Sequence, residues 1–261
     1  MPSPVLRALV TGASAGLGEC FARRLADRGV DLVLVARREA PLRALADELP
    51  VDVEVLTADL ADREDLAAVE ERLARDEEPV DLLVNNAGFG AFGEVAGLDT
   101  DRLTEMVDVN VTALVRLTRA ALPVLIERGR GGIINVGSTA GFQPNPHSAV
   151  YGASKAFVRS FTEAVHEELR GRPVHVMLLA PGVTATEFQS VAGVAEGAVP
   201  AVATMRAQPV VDAALNAFAS GDAVCVPGLA NRVSAFGSQL IPSAVTRRAS
   251  DVLHRRYVGG A

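Results

Sequence analysis

The stretch SAVYGASKAFV, Ser148 to Val158, sets a phenol and an ammonium four residues apart, at Tyr151 and Lys155. Lys155 is the only lysine in the chain; the other 24 members of the Lys+Arg count of 25 are arginine. Residues at i and i+4 of a helix share one face. A neighbouring ammonium favours phenolate and lowers a tyrosine's pKa, which makes the phenol able to exchange a proton near neutral pH. Lysine keeps further protons for ribose hydroxyls, whereas arginine holds its charge more firmly and spreads it over a larger plane. A plain pair on a helix surface satisfies the same spacing, so the reading needs other residues beside it.

Three further features point towards a carbonyl. Ser138 ends a β-branched run, where its hydroxyl can polarise a carbonyl oxygen or cap a turn. NNAG, Asn85 to Gly88, ends another run; its paired amides and glycine can line a cofactor channel or form a turn. Asn110 lies in DVNVTAL, inside a helix-like segment. Asparagine is unfavourable there unless its side chain finds a partner. It can hold a water that links Lys155 to solvent, or mark a kink.

The cofactor site is written nearer the N-terminus. TGASAGLG, Thr11 to Gly18, follows the first apolar run and opens the first helical segment. Glycines at 12, 16 and 18, with Ser14, Ala15 and Leu17 between them, allow a tight turn and close approach of a pyrophosphate to free helix N–H groups. An NAD site ends its second strand with a carboxylate. Here the residues are Ala36, Arg37 and Arg38. Guanidinium groups suit a 2′-phosphate, so the expected cofactor is NADP(H), with Arg37 as the phosphate ligand and the other arginine at the surface. Asp59 and Leu60 are placed to flank the adenine, although Asp59 also suits a helix cap.

The elements that must position these residues alternate along the chain. Short apolar runs lie at Val5–Val10, Val30–Ala36, Val51–Ala58, Val80–Asn86, Gly132–Ser138, Pro173–Ala180 and Ala223–Val226. They read as strands buried on both faces. Helical segments such as 17–28, 38–48 and 62–76 separate them. This rhythm predicts an α/β fold, a Rossmann-like doubly wound parallel sheet of about seven strands in three α/β/α layers. One domain is expected over 1–261. A lid is expected over 184–208, where the crevice of such sheets lies, and a helical extension over 229–261. Candidate substrate-lining residues are Phe89, Phe92, Phe142, Gln143, His147 and the segment 188–202, an apolar mix.

Composition sets the outer limits. The 261 residues are 49% apolar and 22% charged. That balance is enough to bury a core. The net charge is −7, which argues against nucleic acid as a partner. Two cysteines make neither a disulfide framework nor a metal site, and no metal is expected. The N-terminus lacks a secretory pattern and no window reads as a membrane span, so the expected compartment is the cytoplasm. The tail 231–257 mixes arginines with apolar residues and reads as a helix packed on the body or on a sister subunit rather than on a membrane.

Together TGASAGLG, Asp59-Leu60, NNAG, Asn110, Ser138, YGASK and Pro181-Gly182 resemble the short-chain dehydrogenase/reductase family, in its NADP-preferring branch, from Leu9 to Gly228. The resemblance implies a catalytic set of Asn110, Ser138, Tyr151 and Lys155. It implies cofactor contacts at the glycine turn, Arg37, Arg38, Asp59, Leu60, Asn86, Ala87, Gly88, Asn110, Tyr151 and Lys155. It adds Pro181, Gly182, Val183 through its backbone and Thr186 through its hydroxyl, and a homodimer or homotetramer built on the long helices. The implied reaction is hydride transfer between nicotinamide and a carbonyl or secondary alcohol of a small, largely apolar substrate. Two alternatives remain at this point. One is a 3-oxoacyl reductase acting on a carrier-bound chain, for which no arginine cluster flanks the expected lid. The other is a non-catalytic dinucleotide-responsive protein, which has no need of the four catalytic residues.

Overall fold

In the computed structural model, residues 5–188, 192 and 204–258 are described. Seven strands alternate with helices: β1 (Arg7–Thr11), α1 (Gly16–Ala26), β2 (Asp31–Ala36), α2 (Glu39–Glu48), β3 (Val53–Thr57), α3 (Arg63–Leu73) and β4 (Leu82–Asn85). The second half runs α4 (Thr100–Val107), α5 (Leu114–Arg128), β5 (Gly132–Val136), α6 (Ala149–Glu168), β6 (His175–Leu179), α7 (Ala207–Ser220) and β7 (Val224–Cys225). Two more helices follow, α8 (Leu229–Gly237) and α9 (Ser243–Val258).

The strands form one sheet in the order β3-β2-β1-β4-β5-β6-β7, and every pairing is parallel. The chain reverses its direction of travel between β1 and β4, and the crevice beyond the strand ends at that point is where such folds bind ligands. Side chains alternate between the two faces. Ala8, Val10, Leu32, Leu34, Leu82, Val84, Ile134 and Met177 pack under α1, α2 and α7. Leu9, Val33, Val35, Leu83, Ile133 and Val176 pack under α3, α5 and α6. This is the three-layer α/β/α arrangement that the near-continuous apolar runs predict.

The strands are shorter at their ends than the apolar runs, whose ends continue into loops once ladder pairing stops. A second difference concerns the helical stretch 100–128. With its central wide turn it is 29 residues long, and an 18-residue window has mean hydropathy 1.5, so by length and composition it passes for a membrane span. Leu114, Leu117, Ala121 and Leu125 on it are buried in the core against the sheet, which accounts for its apolar character.

Candidate active site

The glycine turn is shaped by contacts that leave no room for side chains. Gly12 and Gly16 take φ of +65° and +61°, a region costly for residues with a Cβ. A Cβ on Gly12 would lie 2.9 Å from Ala87 Cα, and one on Gly18 would lie 2.6 Å from Asn86 Nδ2 and closer still to the Gly12 carbonyl. Asn86 clamps the turn, donating from Nδ2 to the carbonyls of Thr11 (2.8 Å) and Gly12 (3.3 Å). Ala15 precedes α1 in extended conformation with no side-chain cap. The first-turn N–H groups therefore have no side-chain acceptor at that position.

A cavity of about 770 Å³ opens beside this turn. It is lined by Gly12, Ser14, Ala15, Gly16, Leu17, Arg37, Arg38, Asp59, Leu60, Asn86, Ala87, Gly88, Ser138, Tyr151, Lys155, Pro181, Gly182, Val183 and Thr186. Two expected contacts are not on its wall. Gly18 packs beneath the turn, and Asn110 stands behind Gly88, where a Cβ would lie 2.8 Å from Asn110 Oδ1 and 3.4 Å from Lys155 Nζ.

Both arginines line the cavity. Arg38 Nη2 reaches the Ser14 carbonyl and hydroxyl, each at 3.3 Å, and pairs with Glu187 at 3.0 Å. Arg37 pairs with Glu105 at 2.9 Å and lies 3.7 Å from Asp59 Oδ2. Arg38 thus stands at the glycine turn and Arg37 at the end of β3, both beside the cavity. Asp59 accepts from the Ala61 N–H, while Asp62 caps α3. Uncapped helix N–H groups, a cradle that side chains would fill and two guanidinium groups fit a dinucleotide carrying a 2′-phosphate.

At the other end of the crevice, Tyr151 and Lys155 lie one turn apart on α6, with Lys155 Nζ 5.9 Å from the Tyr151 ring centroid. Lys155 is 5% exposed and donates to the Val136 carbonyl at 2.9 Å. Burial pushes its pKa down to about 8. Burial pushes the Tyr151 phenol up to about 12, against the opposing pull of a hydrogen bond with Ser138. The Tyr151 ring is covered by Phe188, with 5.3 Å between centroids. Burial of the phenol therefore opposes the expected drop in the tyrosine's pKa and outweighs the pull of Ser138. Ser138 also accepts from the Ala140 N–H at 3.1 Å, so it serves as turn cap and phenol partner together.

Asn110 sits in a π-helical turn, Asp108–Ala113, between α4 and α5. Such wide turns recur at functional sites. Its amide bonds both backbone groups of Phe89, at 3.0 Å each, and donates to Ser154 Oγ at 3.1 Å. Ser154 in turn donates to the Tyr151 carbonyl at 2.8 Å. Asn110 thereby ties the NNAG loop to the tyrosine's helix.

Other expectations fare differently. Asn85 turns into the core and donates to Thr118 and Asn135, leaving Asn86 to face the cavity. Phe89, Phe92 and Gln143 line the cavity. Phe142 is buried edge-on against Phe236, and His147 pairs with Asp251 of α9 at 3.0 Å; neither reaches the cavity wall. The lid and the substrate-lining segment fall largely on 189–191 and 193–203, outside the described residues. At the described ends of that stretch Thr184 bridges Met205 and Phe188 lines the cavity. Among the described residues no cluster of His, Cys, Asp and Glu suits a metal. Asn231, Ser234, Ala235 and Ser238 of the C-terminal segment also line the cavity, as do Asn145 and Ser148. No local spacing marks the C-terminal four, because only the fold brings them to the crevice.

Residues 7–196 match the family described as short chain dehydrogenase. An NADP-dependent 3-hydroxy acid dehydrogenase, YdfG, of Salmonella typhi is 46% identical over 191 residues, covering 70% of this chain and 75% of the relative. A sulfoacetaldehyde reductase of Chromohalobacter salexigens is 45% identical over 184 residues, covering 69% and 73%. Among solved structures, a short-chain dehydrogenase from Sphingobium yanoikuyae in complex with NADPH superposes with a TM-score of 0.82 at 38% identity, covering 89% of this chain and 92% of that one. A bulky-bulky ketone specific alcohol dehydrogenase from Comamonas testosteroni gives 0.77 at 34% identity, covering 87% and 88%. The family match spans most of the chain and runs through the glycine turn, the strand ends and the Tyr151–Lys155 helix: this chain belongs to the short-chain dehydrogenase family.

Proposed function

We propose that this chain interconverts a carbonyl and a secondary alcohol on a small, largely apolar substrate, with Ser138, Tyr151 and Lys155 at the reacting oxygen. It is an NADP(H)-dependent oxidoreductase of the CH–OH/C=O class. The observation that carries the residue roles is the convergence of Ser138, Tyr151 and Lys155 on one cavity with the glycine turn and Arg38. Gly12, Ser14 to Leu17, Arg37, Arg38, Asp59 and Leu60 hold the adenosine and phosphate half of the cofactor. Asn86 to Gly88, Lys155, Pro181 to Val183 and Thr186 hold the nicotinamide half. The bound nicotinamide supplies the hydride in reduction and accepts it in oxidation.

In reduction, Ser138 Oγ donates to the carbonyl oxygen and holds it beside Tyr151 Oη. The phenol gives that oxygen its proton as the hydride reaches the carbon, so one hydride and one proton add across C=O. A phenolate forms in the process, and the Lys155 ammonium is the charge placed to stabilise it. Asn110 acts at one remove, holding the Phe89 backbone and, through Ser154, the start of α6. Thr184, Thr186 and Phe188, at the described start of 184–208, border the substrate end, and 229–258 extend the single domain. The protein works in the cytoplasm as a homodimer or homotetramer.

The test is turnover of a ketone panel with NADPH, followed by nicotinamide absorbance, in wild type and Tyr151→Phe. The variant is expected to lose about 10²–10⁴-fold in kcat, the usual worth of a positioned acid, while NADPH still binds by fluorescence titration. Equal turnover in the two proteins would remove Tyr151 from the chemistry.

A further inference from the structure

We infer that the substrate end of the cavity selects uncharged carbonyl compounds bearing a second hydrogen-bonding group, and that Ser148 binds that group. This rests on the oxidoreductase reading and narrows its substrate class.

The first observation is a charge asymmetry. The cationic residues on the described cavity wall are Arg37, Arg38 and Lys155. The two arginines follow β2, which is three inter-strand steps from β5 and Ser138. At ordinary strand spacing that separation is roughly 14 Å. Lys155 is turned to the Val136 carbonyl. On the described part of the segment from Glu187 to Met205 the lining side chain that carries charge is Glu187. A carboxylate or sulfonate on the substrate would therefore leave water with no counter-charge among the described residues on this part of the wall, at a large cost.

The second observation is an idle hydroxyl. Ser148 lines the cavity three residues before Tyr151, is 2% exposed, and its Oγ has no hydrogen-bond partner among the described residues. It stands at the N-cap position of α6 without capping it. The neighbouring polar groups are engaged: Asn145 Nδ2 donates to the carbonyls of Ala140 (2.6 Å) and Gln143 (2.7 Å), and Ser238 Oγ donates to the Ala235 carbonyl (2.8 Å). Folded proteins leave few buried polar atoms unpaired, and each such atom carries a desolvation cost. A hydroxyl or carbonyl on the substrate would give Ser148 its missing partner, while Phe89, Phe92 and Phe188 take the apolar remainder.

The experiment compares kcat/KM with NADPH for acetophenone, 2-hydroxyacetophenone, methyl phenylglyoxylate and the phenylglyoxylate anion, in wild type and Ser148→Ala. Wild type is expected to favour the ester over the anion by at least about 100-fold and the hydroxyketone over acetophenone by about 10-fold. In Ser148→Ala the second ratio falls towards unity and the first persists. Thermal melts of the ligand-free proteins give an independent reading: loss of an unpaired hydroxyl raises Tm, by about 2 °C or more. An anion used as well as its ester overturns the charge argument. A hydroxyketone preference surviving in Ser148→Ala, or a Tm lowered by several degrees, overturns the role of Ser148. No turnover of any probe by wild type overturns the inference together with the oxidoreductase reading.

Discussion

Lys155 is a charge kept where hydration is scarce, and that has a measurable consequence for stability. Its folded pKa, about 8, lies below the ordinary value of 10.5. Below pH 8 the folded state carries the full penalty of the buried ammonium; between 8 and 10.5 the unfolded state holds more protons, and the penalty fades as pH rises. The shift corresponds to roughly 3 kcal/mol, part of which Lys155→Met would give back by losing the bond to Val136. Lys155→Met is therefore expected to be more stable than wild type in urea at pH 7 by about 1–2 kcal/mol, with the gain vanishing near pH 10, and to be nearly inactive. Equal or lower stability at pH 7 would show that the ammonium finds better solvation than its surroundings provide. The arginines make a second prediction at this scale. Each charged hydrogen bond to a phosphate is worth about 1.5–3 kcal/mol, so Arg37→Ser with Arg38→Leu should weaken NADPH binding by about 10²-fold or more. NADH binding, having no 2′-phosphate to lose, should change by less than about threefold. A parallel loss of both would place the arginines in structural rather than phosphate-binding roles.

Among the elements, the π-helical turn 108–113 places Asn110 where a regular helix would not. The residue type and position were legible in the sequence, since an asparagine in a helical run needs a partner; the partner, the Phe89 backbone 21 residues away, was not. Asn110→Leu should leave the Phe89 N–H and carbonyl unpaired and cost about 2–3 kcal/mol in denaturant unfolding. It should also lower kcat more than it weakens NADPH binding, because its contacts run to the Tyr151 helix. The glycine turn was legible for the same reason as the Tyr151–Lys155 pair: both depend on short spacings within one local structure. Asn85 and Asn86 show the limit. Adjacent residues at a strand end point to opposite sides, and the sequence alone does not say which amide turns inward. The four cavity residues from 231 to 238 lie beyond any local signal, because the C-terminal segment meets the crevice only after the sheet is complete.

Across the whole molecule, the sheet order was predictable in kind from the strand–helix rhythm, and the crevice between β1 and β4 follows from it. The electrostatics were less so, since the Tyr151 and Lys155 shifts depend on how deeply both are covered, which is a property of the assembled layers. One interior feature links the layers. Thr118, Asn85, Asn135 and Thr162 form a chain of hydrogen bonds of 2.9 to 3.1 Å through the middle of the apolar core, from α5 across β4 and β5 to α6. Sliding either strand by one position would strand amides in hydrocarbon, so the chain acts as a ratchet pin for strand alignment. Because Gly88 follows β4 and Ser138 follows β5, fixing that alignment also fixes the distance between the backbone of one and the hydroxyl of the other across the cavity.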